Sequence, residues 1–108
     1  MTFHPTKNPV FWQETADTCF AEERFEKAAE AYLRVCELTP GNAQAWAGRG
    51  KALMHLEAYA DAADCLERSL VIEPDNGENI ALLGSIYEKL GIADKAAACM
   101  IRSGELSQ

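Results

Sequence analysis

Cysteine and histidine are the residues here with the widest chemical range. Cys19, Cys36, Cys65 and Cys99 stand 17, 29 and 34 residues apart. A zinc site or dithiol redox centre presents two thiols from one tight turn, in CxxC-like pairs, and the chain has no such pair. A nucleophile needs a positioned base beside it. Of the two histidines, His4 lies near the N-terminus and His55 at the end of a helical pattern, where it reads as a surface or groove polar residue. Gly48-x-Gly50 interrupts a helical pattern rather than joining a strand to a helix, so it does not read as a phosphate loop. Glu22, Glu23, Glu26 and Glu30 follow the spacing of a solvated helix face, not of a convergent acid–base pair. The expectation is a non-enzyme with no catalytic residue, no metal site and no cofactor.

Charge and composition narrow the choice further. The chain has 108 residues, 48% hydrophobic and 25% charged, with a net charge of −7. That length fits one domain, which buries roughly two-thirds of the surface exposed by the unfolded chain. An acidic balance opposes binding to nucleic acid or an anionic membrane, where basic side chains supply the attraction. No apolar run approaches the ~18 residues of a membrane span. Met1 to Phe11 has no positive start followed by a long apolar stretch, so no secretory leader is expected. Cysteines without paired spacing fit reduced thiols in the cytoplasm.

The elements that organise these residues emerge on comparing the chain with itself at a shift of 34 residues. Asn8, Asn42 and Asn76 align; so do Trp12, Trp46 and Ile80; Ala28, Ala62 and Ala96; Tyr32, Leu66 and Met100; and Pro40 and Pro74. Gly50 pairs with Gly84, and Cys65 with Cys99, which makes these cysteines packing residues. Each column has a physical role. Asn accepts from a free N–H at a helix start, and Pro9 suits a first helical turn. Pro40 and Pro74 end the helices before them. The alanine column lets helix backbones approach, and the tryptophans fill space beside it. The apolar period is helical, as in Phe25, Ala28, Ala29, Tyr32, Leu33 and Cys36. It predicts helices at 9–21, 25–38, 43–56, 59–72, 77–90 and 93–104. Short turns near Glu22–Arg24, Glu57–Ala58 and Gly91–Ile92 make neighbouring helices antiparallel.

Trp46-x-x-Arg49-Gly50-x-x-Leu53, then Ala62-x-x-x-Leu66 and Pro74, resembles the tetratricopeptide repeat. The third copy keeps Leu83-Gly84-x-x-Tyr87 and Ala96. The first keeps Trp12, Ala28, Tyr32 and Pro40 but has Thr15 and Ala16 where Leu and Gly are usual, and Cys19 in place of an aromatic. The resemblance implies an all-α fold, an α-solenoid of three antiparallel helix–turn–helix repeats in a right-handed superhelix. The repeat domain would span 9–108, with repeats at about 9–42, 43–76 and 77–108. A tail at 1–8, carrying Phe3 and His4, would stay disordered or fold over an exposed face.

The same resemblance implies a module that binds a partner protein or peptide in its concave groove, lined by the first helix of each repeat. The family's groove positions are here Gln13, Asp17 and Phe20; Gln44, Ala47, Lys51 and Met54; and Glu78, Ala81 and Ser85, with Val10, Ala21, His55, Glu88 and Lys89 beside them. Ala47 and Ala81 would leave room for a ligand. Gln13, Gln44, Lys51 and Ser85 would bond an extended backbone, and Phe20 and Met54 would add apolar contact. Some family members clamp acidic chaperone tails with Lys, Asn and Arg. Gln13, Asp17, Gly48, Glu78 and Leu82 stand at those positions, so no such clamp is expected. The last helix carries Ala97, Ala98, Cys99, Met100 and Ile101 in succession with few charges, an uncapped apolar end that reads as a homodimer contact over about 93–104 or a docking face. Two alternatives follow: a small secretion-type chaperone that holds an export substrate, and a self-associating structural scaffold.

Overall fold

A computed structural model describes residues 7–107; Phe3 and His4 of the tail lie outside them. The described residues form six helices: α1 (Pro9–Ala21), α2 (Phe25–Leu38), α3 (Ala43–His55), α4 (Tyr59–Ile72), α5 (Gly77–Leu90) and α6 (Ala93–Leu106). Helix α3 stops one residue before the end expected from periodicity, because Leu56 caps it with its N–H turned back to Ala52 and Leu53. Helix α6 runs two residues past its expected end. Glu105 and Leu106 favour helix, and Leu106 packs near Gly77 at the start of α5.

The asparagine column starts the first helix of each pair. Asn8 Oδ1 accepts from Val10 N at 3.0 Å, Asn42 Oδ1 from Ala45 N at 3.1 Å and Asn76 Oδ1 from Asn79 N at 3.0 Å. The turns inside the pairs are also alike. Arg24 N–H donates to Cys19 O, Ala58 N–H to Leu53 O and Ile92 N–H to Tyr87 O, at 2.8, 2.9 and 2.9 Å. This back-bond needs a left-handed residue just before the donor. Gly91 supplies it with φ +76°, whereas Glu23 and Glu57 adopt it at φ +61° despite their side chains.

Helices pack chiefly on their neighbours in sequence, which gives a stack of 53 × 24 × 19 Å. Ala28, Ala62 and Ala96 are buried where paired helices cross. A Cβ on Gly50 would lie 3.0 Å from Leu66 Cγ, and one on Gly84 3.0 Å from Cys99 Cβ, so the backbones meet there without room for a methyl group. Far ends of a pair are tied by Ser69 Oγ donating to Ala43 O at 2.8 Å and Ser103 Oγ to Gly77 O at 3.1 Å. Cys19, Cys36 and Cys65 are buried free thiols, and Cys99 is half-buried. Arg49 Nη1 lies 3.0 Å from Cys65 Sγ.

The left-handed glutamates generate a prediction. Glycine at φ > 0 avoids a cost of roughly 1 kcal/mol that other residues incur. Glu57→Gly therefore raises stability by up to about 1 kcal/mol, and Gly91→Ala lowers it by about the same amount, both read as shifts of the urea midpoint.

Candidate functional site

The first helices of the three pairs bring their inward faces to one side of the stack, where two adjoining chambers open. The first, about 330 Å³, is lined by Gln13, Asp17 and Phe20 of α1, Gln44, Ala47 and Lys51 of α3, and Glu78 of α5. Tyr32, Glu73, Asn76 and Asn79 complete it. The second, about 430 Å³, is lined by Phe20, Lys51, Met54, His55, Glu78, Ala81, Leu82 and Ser85. Phe20, Lys51 and Glu78 belong to both, so the chambers form one continuous groove.

Hydrogen bonds set the first chamber. Tyr32 rises into it from α2 because Gly48 has no side chain: a Cβ there would lie 2.7 Å from the phenol ring. Tyr32 Oη donates to Asp17 Oδ1 at 2.7 Å, and Gln13 Nε2 donates to the same oxygen at 3.2 Å. That bond fixes the orientation of the Gln13 amide, since its oxygen would repel the carboxylate. Gln13 Oε1 is left buried with no hydrogen-bond donor. Lys51 Nζ lies 3.7 Å from Glu78 Oε1, which joins α3 to α5 across the groove. Ala47 is buried and forms floor rather than rim.

Aromatic packing sets the second chamber. His55 stacks flat on Phe25, with ring centroids 4.2 Å apart and planes 5° apart, and meets the Phe20 edge at 5.7 Å. Phe20 and Met54 pack against the core and line the chamber as well. Ser85 Oγ donates to Ala81 O at 3.3 Å.

The structure brings Gln13, Asp17, Phe20, Gln44, Ala47, Lys51, Met54, Glu78, Ala81 and Ser85 to this groove. Val10 lines neither chamber but a third hollow with Pro9, Glu14, Val35 and Thr39, which adjoins the first chamber at Gln13. Sequence reasoning placed Tyr32 in the core and Asn76 in a cap, and passed over Glu73 and Asn79. The one available signal was the hydroxyl of Tyr32 in a column where Leu66 and Met100 have none. Among the described residues no group of three His, Cys, Asp or Glu could hold a metal ion, and no helix is long and apolar enough to cross a membrane.

Three cysteines and two tyrosines of the stack hold their protons more tightly than usual. Burial, reinforced by the neighbouring Cys65, pushes the Cys36 thiol up to about 12. Burial also raises Cys65, against the opposing pull of Arg49, and raises Cys99 with help from Glu67. Tyr32 and Tyr87 lie well above the usual phenol range, first through burial and then through the carboxylates of Asp17 and Glu67 that accept from them.

Comparison with known proteins agrees with this architecture. The family described as TPR repeat matches residues 16–57, and the family described as tetratricopeptide repeat matches residues 43–76. The chain is 32% identical over 82 residues to the Hsp70-Hsp90 organizing protein of Triticum aestivum, a match over 76% of this chain and 14% of that protein. It is 34% identical over 80 residues to a TPR repeat-containing protein of Methanocaldococcus jannaschii, over 74% of this chain and again 14% of the relative. It thus spans about one-seventh of either relative. Among solved structures it resembles MamA, with a TM-score of 0.90 at 19% identity over 95% of this chain and 60% of that one. It also resembles the Arabidopsis OM64 TPR domain, with a TM-score of 0.86 at 20% identity over 91% and 81%.

The raised thiols and phenols predict an alkaline limb of stability. Above about pH 9 the unfolded chain releases thiol protons that the folded chain retains up to about 12, so stability falls as pH rises through that window. Urea midpoints measured from pH 8 upward should decline steadily, and Cys36→Ala should flatten the decline.

Proposed function

Because the chain belongs to the tetratricopeptide-repeat family, we propose that its role as a protein-interaction module is exercised through the groove, which takes an extended segment of a partner protein. One observation carries this reading: residues from α1, α3 and α5, far apart in sequence, line two chambers that share Phe20, Lys51 and Glu78. A continuous trough suits an extended chain better than a compact small molecule. Gln44 at the exposed rim can bond a peptide backbone, and Phe20 and Met54 can cover an apolar side chain. The wheat relative's name ties it to two chaperones. Here Asp17 and Glu78 line the groove, so an acidic tail is not the ligand proposed.

A second contact surface is favoured by the burial of equivalent residues. Tyr32 is 6% exposed and Leu66 0%, but their counterpart Met100 is 54% exposed; Ile101 beside it is 65% exposed. Where α3 covers α2 and α5 covers α4, that face of α6 is open. Self-association through α6 is the reading this supports.

Two measurements follow. Ala81→Trp places an indole in the groove; it should abolish capture of a partner from the source cell extract while leaving the helical circular dichroism unchanged, and Glu30→Ala on the outer face of α2 should not. Equal capture by both variants removes the groove reading. For α6, light scattering should give a mass that rises with concentration above the 11.9 kDa of one chain, and Ile101→Lys should hold it there. A constant single-chain mass for the unaltered protein removes self-association.

A further inference from the structure

The two chambers differ in chemistry, and that difference specifies a ligand. Three carboxylates, Asp17, Glu73 and Glu78, line the first chamber against one ammonium, Lys51. That ammonium is already matched to Glu78. Asp17 and Glu73 make no ion pair with the described residues. Gln13 Nε2, through one of its two N–H bonds, and Tyr32 Oη both donate to Asp17 Oδ1, which leaves Oδ2 free to accept. Gln13 Oε1 is a buried acceptor without a donor, a state that costs free energy. Negative charge therefore exceeds positive charge in this chamber, three carboxylates against one ammonium. The second chamber is mostly apolar, and its Lys51 and Glu78 balance in charge. Phe20, Met54, Ala81 and Leu82 make its walls, and His55, stacked on Phe25 behind it, lines it as well.

We propose that the groove selects a segment in which a lysine or arginine lies next to an apolar side chain, the cation in the Asp17–Glu73–Glu78 chamber and the apolar group against Phe20, Met54 and Leu82. This rests on the reading of the groove as a peptide site. The cation offsets the first chamber's excess of carboxylates, and a guanidinium can engage a carboxylate through two bonds at once. The apolar side chain covers surface that is otherwise wet. A protein with a charge of −7 also draws cationic segments toward it from a distance.

A positional-scanning library of acetylated hexapeptides, read by fluorescence anisotropy against the full chain, tests the proposal. Lys and Arg should be enriched at one position and Leu, Met or Phe at its neighbour. Replacing the cation by Glu should weaken binding by about tenfold or more. Glu73→Lys, an exposed change at the end of α4, should reduce the preference for a cation without loss of fold. Peptides that bind without charge preference, or that favour Asp and Glu, overturn this inference; if Ala81→Trp abolishes their binding, the groove reading survives. Binding untouched by Ala81→Trp overturns the groove reading and the inference with it. Absence of binding by any member at millimolar concentration overturns both.

Discussion

Two backbones can cross at Gly50 and Ala62, and again at Gly84 and Ala96, only because neither side carries bulk. The space left for a Cβ on Gly50 is 3.0 Å from Leu66 Cγ and 3.2 Å from the Ala62 carbonyl. That approach holds each pair of helices together closely enough for Leu66, Ile86 and Val35 to be buried completely. Interiors packed to crystal-like density yield little to added volume, so these small residues set the spacing that later elements inherit. The same spacing leaves the first helices side by side with a trough between them.

Each pair rests on the next through few side chains, and those side chains also build the groove. Tyr32 is the clearest case. Its ring packs over Gly48 between repeats, and its hydroxyl holds Asp17 at the groove wall. Stability and site geometry are coupled there: a change that loosens the first repeat against the second also releases the carboxylate. Tyr87 of α5 donates to Glu67 of α4 and so ties the second repeat to the third, away from the groove.

The residues with chemical potential have been absorbed into packing. Cys36 and Cys65 are buried with their thiols held protonated, which makes them small hydrophobic groups rather than nucleophiles. Gly50 is a packing glycine, and His55 is a flat ring laid on Phe25. In the proposed reading the groove serves recognition instead, with carboxylates beside an apolar wall. Recognition of this kind needs positions, not reactivity.

Helix positions, their order and their antiparallel pairing were legible in the sequence because they depend on near neighbours. Asn42 caps the residues just after it, Pro40 stops a helix two residues before it, and the alanine column recurs at 34-residue intervals whatever the rest of the chain does. That the inward faces of α1, α3 and α5 line a groove came from the resemblance to the tetratricopeptide repeat, not from the period alone. Tertiary structure alone decided what those faces hold. Glu73 enters the first chamber from beyond the end of α4, Asn79 comes from the following helix, and the Tyr32 hydroxyl reaches back 15 residues to Asp17. It also left Met100 exposed in a column where Tyr32 and Leu66 are buried. Periodicity records which side of a single helix is apolar. Which distant groups then share a cavity depends on how closely, and at what angle, the helices cross, and that is set by packing of the whole stack.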